Sequence, residues 1–427
     1  MVAREEARAW LDRIKTKGMA LGLENTARAV SELELPAVDY ETVHVAGSNG
    51  KGTTVATLSA ALSLATIDHL AFTSPHLVRV EERVRYNGRP IDAATFDEAL
   101  GLVHSMVERT GLSLTFFEAT FLVFLRVAAR LPVRVVLVET GLGGRLDATR
   151  AVPADIALIT SLSLEHTEML GVTLDAIAGE KGAIARPDKP LVVQWVEDEV
   201  ARQRLEQCAA NAGDANIDGR TGRAKLEWVR PPQEASYHEQ AKHLAAVAWT
   251  HLKCAENNPL PKIRELRWPG RMQEVASGNR SDLTFVLEGA HNPSGMNAAC
   301  TELMQQERWS RPWALLFGTS PQADMQGMLE PLAALCAQHT PSVVVLTEPQ
   351  FGRYPGVDVS TLRADVEGHG VPVSAVFSMP HEAVSWIESN AQDCEHVLCI
   401  GSLYLQGNVL SALDADDDEA LAVMAKN

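Results

Sequence analysis

Positive charge is scarce in this 427-residue chain: 38 Lys and Arg stand against 55 Asp and Glu, a formal net charge of −17. A surface of that sign repels polyphosphate backbones and anionic lipid, which argues against nucleic-acid and membrane-surface partners. No stretch reaches the roughly 20 uninterrupted apolar residues that a membrane helix needs. The best candidate, 121–131, is broken by Arg126 and Arg130. The six cysteines include no CxxC pair and read as reduced packing residues. There is no internal repeat and no low-complexity tract. The opening MVAREEARAWLDRIKTKG carries acids and alternates polarity at helical spacing. It is expected to be an amphipathic helix rather than a targeting peptide, and the expected address is the cytoplasm.

What is present suits a folded chain of two or three domains, at about 150 residues each. Apolar residues make up 46% and charged ones 22%, which is ordinary globular usage. The first half alternates short β-branched runs with helical segments, the pattern of a parallel sheet covered by helices. Strands are expected at 42–46, 134–138, 155–160 and 190–194, and helices at 3–15, 25–33, 53–65, 93–109, 117–130 and 239–252. The segment 211–232, rich in Gly, Asn, Asp and Arg, reads as an exposed excursion. Three prolines in NNPLPKIRELRWP mark a domain boundary, giving domains 1–266 and 267–427. Beyond it, strands at 283–287, 313–317, 342–346, 371–377 and 396–400 are each followed by a helix-compatible segment. That is the pattern of a smaller doubly wound sheet. The tail DADDDEALAVMAKN reads as a solvated acidic end.

The strongest local signal is HVAGSNGKGTT. A strand ends at Ala46, and the turn Gly47, Ser48, Asn49, Gly50, Lys51, Gly52 precedes a helix from Thr53. Glycine lets the backbone aim N–H groups at phosphate oxygens, and the helix N-terminus adds positive potential. Lys51 would hold outer phosphates, and the hydroxyl of Thr53 or Thr54 would ligate magnesium. Val45 occupies the first glycine position of the common GxxxxGK[ST] loop, and Gly52 stands between the lysine and the hydroxyl.

Other polar residues cluster at predicted strand ends. VVLVETGLGGRLDATR delivers Glu139 to the carboxyl end of a strand, where a magnesium ion could be held directly or through water. Its Arg145 and Asp147 form either a structural ion pair or a binding pair. SLEHTEMLG places His166 beside Glu165 and Glu168, and Lys181 follows in GEKGAI. In the second half, FVLEGAHNPSG brings Glu288 and His291 to another such turn, LCIGSLYLQG brings Ser402, and WPGRM supplies Arg271.

In order along the chain, LGLEN, HVAGSNGKGTT, FTSPHL with ERVRYNG, TFFEATF, VETGLGGRLDAT, LEHTEMLG, GEKGAI, WPGRM, GAHNP, GMLEPL and GSLYLQG resemble the blocks of the folylpolyglutamate synthase and dihydrofolate synthase family of the Mur ligase superfamily. The resemblance implies a Mur ligase-like α/β fold. An N-terminal P-loop ATPase domain with a parallel sheet, 1–266, would bind ATP and pterin. A smaller C-terminal Rossmann-like domain, 267–427, would bind glutamate. It also implies a monomeric ATP-dependent ligase, using Mg2+, that joins L-glutamate to a pteroate or folate through an acyl phosphate.

Residue by residue, the resemblance makes 47–54 the ATP site, with Lys51 on the phosphates, and Thr53, Glu139 and His166 metal ligands. Lys181 matches a lysine that is carbamylated in the superfamily, where the new carboxylate helps hold magnesium or positions the reacting groups. Arg271 and Glu288 fall in the nucleotide-binding set. Lys51, Lys181 and His291 fall in the catalytic set. Ser74, Pro75, His76, Phe116, Phe117 and Ser402 fall in the substrate-binding set, although core burial is an equal fate for the two phenylalanines. Two departures lengthen a carboxylate by one methylene: Glu288 where the family has aspartate before GAHNP, and Glu165 in the block usually reading LDH. A divergent ligase acting on another carboxylic acid and an inactive ATP-binding relative are the alternatives.

Overall fold

The computed structural model describes all residues except 1, 16–21, 38, 214–219, 233–234, 255, 353 and 427. The chain forms two compact units. Unit 1 comprises Met1–Ser74, Glu81–Leu266 and Val423–Asn427, and unit 2 comprises Pro75–Val80 and Arg267–Ala422.

Unit 1 is built on strands β1 (Glu41–Ala46), β2 (His69–Phe72), β3 (Val84–Tyr86), β4 (Arg89–Pro90), β5 (Val135–Glu139), β6 (Ile156–Ile159), β7 (Pro190–Gln194) and β8 (Lys225–Val229). Their order across the sheet is β4-β3-β2-β5-β1-β6-β7-β8. Only the β2–β3–β4 edge is antiparallel. Strands β5 and β6, central and covered on both faces, have every residue buried and read as apolar runs, apart from Glu139 at the end of β5. Helix Lys51–Leu64 is buried along Thr53 to Leu62. Its small and branched residues therefore show no amphipathic stripe, as expected of a helix enclosed all round. Helix Phe116–Ala128 is started by a capping box between Thr115 and Glu118, which satisfies orphan amides at its first turn.

Unit 2 carries a six-stranded sheet. Strand β9 (Glu265–Arg267) lies at the boundary of the units. Then come β10 (Gln273–Ala276), β11 (Thr284–Glu288), β12 (Trp313–Phe317), β13 (Val343–Thr347), β14 (Ala375–Phe377) and β15 (His396–Ile400). The order is β10-β11-β15-β12-β13-β14, parallel except for β10. Trp309 and Trp313 lie in the core on one face of this sheet, packed edge to face at 5.1 Å between ring centroids. Leu77, from the short Pro75–Val80 segment, joins Phe285 and Leu405 in the core on the other.

Two expectations fail and one sheet edge was missed. The excursion 211–232, part of which lies outside the described residues, contains β8, which pairs in parallel with β7. Its alternating exposure, Lys225 and Glu227 outward, is that of an edge strand. The edge β2–β4 was not anticipated because its strands are two to four residues long, too short for a period to show. The tail is not wholly solvated: Leu421, Ala422 and Val423 are buried, and strand β16 (Met424–Lys426) follows. The Val423 N–H donates to Gly88 O at 2.9 Å. Among the described residues, no helix is long and apolar enough to cross a membrane.

Candidate active site

In unit 1 the carboxyl ends of β1, β5 and β6 lie side by side, with Val45 opposite Glu139 and Ala46 opposite Ile159. The glycine turn leaves β1 at Gly47, whose φ is +149°. A Cβ there would lie 1.7 Å from Thr160 Oγ1, so only glycine fits. Gly50, at φ +87°, caps helix Lys51–Leu64 in the left-handed region. The turn is clamped by the segment that leaves β6. Ser48 N donates to Ser161 O at 2.8 Å, Thr160 Oγ1 to Asn49 O at 2.7 Å, and Ser48 Oγ to Ser163 O at 3.1 Å. Sequence reasoning missed Thr160 and Ser161. The available signal was a run of hydroxyls at a strand end.

Lys51 folds back over this turn, its Nζ 2.7 Å from Gly47 O and 3.0 Å from Ser48 O. The Thr54 hydroxyl is spent on Gly50 O at 2.9 Å. Gly52 lies in the first helical turn between Lys51 and Thr53. Thr53 is therefore the better of the two hydroxyls for a cation. Glu139 is buried at the end of β5 and accepts the Ser74 N–H at 2.9 Å. His166, by contrast, opens a four-residue helix in the left-handed region (φ 45°) with its side chain half exposed. Among the described residues no three His, Cys, Asp or Glu form a preformed metal cage. Magnesium does not require one, because it keeps several waters and takes one or two carboxylates plus phosphate oxygens.

Lys181 is held inside. Its side chain is 1% exposed, and Nζ donates to Gly47 O at 2.8 Å and to Glu165 Oε1 at 2.6 Å. Burial lowers its pKa to about 8, with Glu165 opposing and Lys51 assisting. Burial works to raise the Glu165 carboxyl, but Lys181 and Lys51 outweigh it and hold it at about 2. In this ammonium form Lys181 donates hydrogen bonds and offers a cation no lone pair.

Arg145 and Asp147 do not pair with each other. Arg145 Nη2 lies 2.8 Å from Glu180 Oε1. Asp147 is buried and accepts the Gly141, Leu142 and Thr149 N–H groups at 2.9, 2.8 and 3.0 Å, fixing the GLGG turn. The Phe117 ring packs edge-on against Phe72 at 5.4 Å, and the Arg83 guanidinium covers Phe116 at 4.9 Å. Both rings are partly buried. FTSPHL is divided: Ser74 belongs to unit 1, while Pro75 and His76 belong to unit 2.

In unit 2, Glu288 ends β11 beside Ile400 at the end of β15. Burial raises its pKa, and Arg271, 3.9 Å away, opposes that shift. Its Oε2 accepts the Met272 N–H at 3.1 Å. Gly289 lacks a side chain for a reason: a Cβ there would meet Arg271 Nη1 at 2.3 Å. His291 is exposed, with Nδ1 2.8 Å from Gly289 O. Ser402 is buried and its hydroxyl accepts the Tyr404 N–H, capping helix Leu403–Ala412. The buried Gln406, unforeseen from sequence, bonds Glu288 O at 3.0 Å and Ser402 O at 3.1 Å.

Known proteins match this arrangement. Residues 270–403 match the Mur ligase, glutamate ligase domain family. The dihydrofolate synthase/folylpolyglutamate synthase of Escherichia coli is 32% identical over 302 residues, covering 67% of this chain and 69% of that protein. A probable bifunctional folylpolyglutamate synthase/dihydropteroate synthase of Halobacterium salinarum is 31% identical over 424 residues, or 94% of this chain, which spans only 50% of that longer protein. A crystal structure of a bifunctional folylpolyglutamate synthase/dihydrofolate synthase with Mn, AMPPNP and L-glutamate bound superposes with a TM-score of 0.74 at 27% identity, over 96% of this chain and 98% of that one. With its paired parallel-sheet units, its glycine turn on β1 and these relatives, the chain belongs to the folylpolyglutamate synthase/dihydrofolate synthase family of Mur ligases.

Proposed function

We propose that this chain is an ATP-dependent ligase that adds L-glutamate to dihydropteroate, to a reduced folate, or to both. The observation that carries the reading is the glycine turn of β1, where two lysine ammonium groups meet at Gly47 O with Glu139 at the end of the neighbouring strand. Open amides at the start of a 14-residue helix and the Lys51 ammonium beside them suit a triphosphate. A hydroxyl and a strand-end carboxylate suit a hard divalent cation. The residues thus fit magnesium–ATP: Thr53 and Glu139 would hold the ion, and His166, half exposed in the segment after β6, is a further candidate ligand.

When bound, ATP supplies the phosphoryl group that turns the substrate carboxylate into an acyl phosphate, which the glutamate amine then attacks. The chain's own part is neutralisation and placement. A carboxylate and a triphosphate repel each other, and Lys51 offsets that repulsion by moving from the turn carbonyls to phosphate oxygens. Ser74, held by Glu139, and the rings of Phe116 and Phe117 are our candidates for the pterin side. Arg271, Glu288 and His291, at adjacent strand ends of unit 2, are candidates for nucleotide and glutamate. Ser402 supports them through its helix cap.

The test is release of ADP and phosphate by purified protein, with each component omitted in turn. The reading requires ATP, a divalent cation, glutamate and a pteroate or folate together. ADP formation indifferent to every pterin, but dependent on another organic acid, assigns a divergent ligase. Nucleotide binding without turnover on any acid assigns a binder.

A further inference from the structure

Trp195 carries two arginines on its ring. It follows β7 directly, and its backbone N–H donates at 2.7 Å to the carbonyl of Val229, the last residue of β8. The guanidinium of Arg230, the next residue, lies 3.9 Å from the centre of the indole, and that of Arg202, on helix Glu199–Ala210, lies 4.7 Å from it. Trp228 packs edge-on against the same indole at 5.7 Å. The two arginines are used differently. Arg202 Nη1 is committed to the carbonyls of Val196 and Glu197, at 2.6 and 2.7 Å. Arg230 is exposed, and among the described residues no carboxylate or carbonyl engages its guanidinium, although acids outnumber bases 55 to 38 along the chain. The Trp195 Nε1–H is buried without a hydrogen-bond partner among the described residues, an arrangement that costs stability unless a ligand answers it.

The place of this cluster on the sheet of unit 1 indicates its guest. The strands run β2-β5-β1-β6-β7-β8. At about 4.8 Å per strand, the end of β7 stands about 10 Å from that of β1 and the end of β8 about 14 Å. Ser74, after β2, and Glu139, ending β5, lie on the other flank of β1. In phosphoryl transfer the γ-phosphate faces the acceptor, so the base belongs at the opposite end of the triphosphate. A guanidinium in contact with an indole presents its outer face for stacking, which suits a planar guest better than a tetrahedral anion. We propose that Arg230, supported by Trp195, is the specificity-determining platform on which the nucleobase stacks, so that the site prefers a nucleotide to bare polyphosphate. This rests on the ligase reading of the glycine turn.

The experiment compares wild type, Arg230→Ala and Arg230→Lys by calorimetric titration with MgADP and with magnesium tripolyphosphate, which has no base, and by steady-state ligation. R230A should bind MgADP about 3- to 30-fold more weakly and tripolyphosphate within about twofold of wild type. R230K keeps the charge without the planar group and should also lose at least about threefold for MgADP. In ligation by R230A the KM for ATP should rise while kcat stays within about twofold, because a contact with the base is made equally in the ground and transition states. Tripolyphosphate affinity that falls as far as that for MgADP makes Arg230 an anion ligand and overturns the proposal. Wild-type affinity for MgADP in either variant overturns it too. If R230A does not fold, R230K carries the test with the same two probes. Wild type that binds MgADP but turns over no acid defeats the ligase reading instead, and the titrations still judge Arg230.

Discussion

Replacing Gly47 by alanine would set a methyl carbon 1.7 Å from Thr160 Oγ1, 2.9 Å from Thr160 Cβ and 3.1 Å from Thr160 N. The last two atoms belong to the rigid end of β6 and cannot swing aside. The residue also sits at φ +149°, where an L side chain is strained. Strain of that kind and overpacking each cost about 1–3 kcal/mol, so the pair is worth about 2–6 kcal/mol. Relief by moving Thr160 would break its 2.7 Å hydrogen bond to Asn49 O and pull the turn out of register. For a unit of this size about 1 kcal/mol moves Tm by about 2–4 °C. Gly47→Ala should therefore melt about 5–20 °C lower in differential scanning calorimetry and bind MgADP much more weakly. Adding Thr160→Gly removes the two nearest atoms and should restore part of both. A Gly47→Ala variant that melts within about 2 °C of wild type and binds MgADP equally well would refute the close approach of Gly47 to Thr160 at the ends of β1 and β6.

Lys51→Ala should abolish pterin-dependent ADP release while leaving Tm nearly unchanged, because its ammonium bonds only turn carbonyls; retained turnover would remove it from the reaction. Gly289→Ala drives a methyl group into Arg271 Nη1 and Leu403 Cδ2, and urea unfolding should show a loss of about 1–3 kcal/mol. Removing residues 421–427 deletes the buried Leu421 and Val423, each worth about 1.5–3 kcal/mol, so the truncated chain should be markedly less stable in the same assay. His69 is buried between Ser59 Oγ at 2.7 Å and Ile67 O at 2.9 Å, and burial lowers its pKa to about 4. Its neutral form favours folding above the unfolded pKa near 6.5. That contribution, at most about 3 kcal/mol, is lost as pH falls from about 6.5 through 4. The urea midpoint of wild type should therefore fall more steeply across that window than that of His69→Gln.

The central parallel strands were readable because burial on both faces forces apolar runs, as in VVLV of β5 before its terminal Glu139 and WALLF of β12. The glycine turn was readable because its conformation admits one residue type. The short edge strands were not, since their pairing is set by neighbours distant in sequence. Glu165 shows a similar limit at the site. In sequence it stood out only as an acid beside His166, the expected metal ligand, and the fold shows that its own partner is the Lys181 ammonium 16 residues away. Arg145 and Asp147, neighbours in sequence, turned to different partners because a tight turn presents adjacent side chains to different surroundings.

The interleaving of the two units bears on how the chain acquires its shape during synthesis. Leu77 leaves the ribosome long before Arg267–Ala422, the remainder of its core, while Val423–Asn427, which completes unit 1, emerges only after all of that segment. Neither lobe can mature until its counterpart has been translated. A gene cut after codon 266 would encode one lobe missing its closing strand, and a second lobe missing Pro75–Val80.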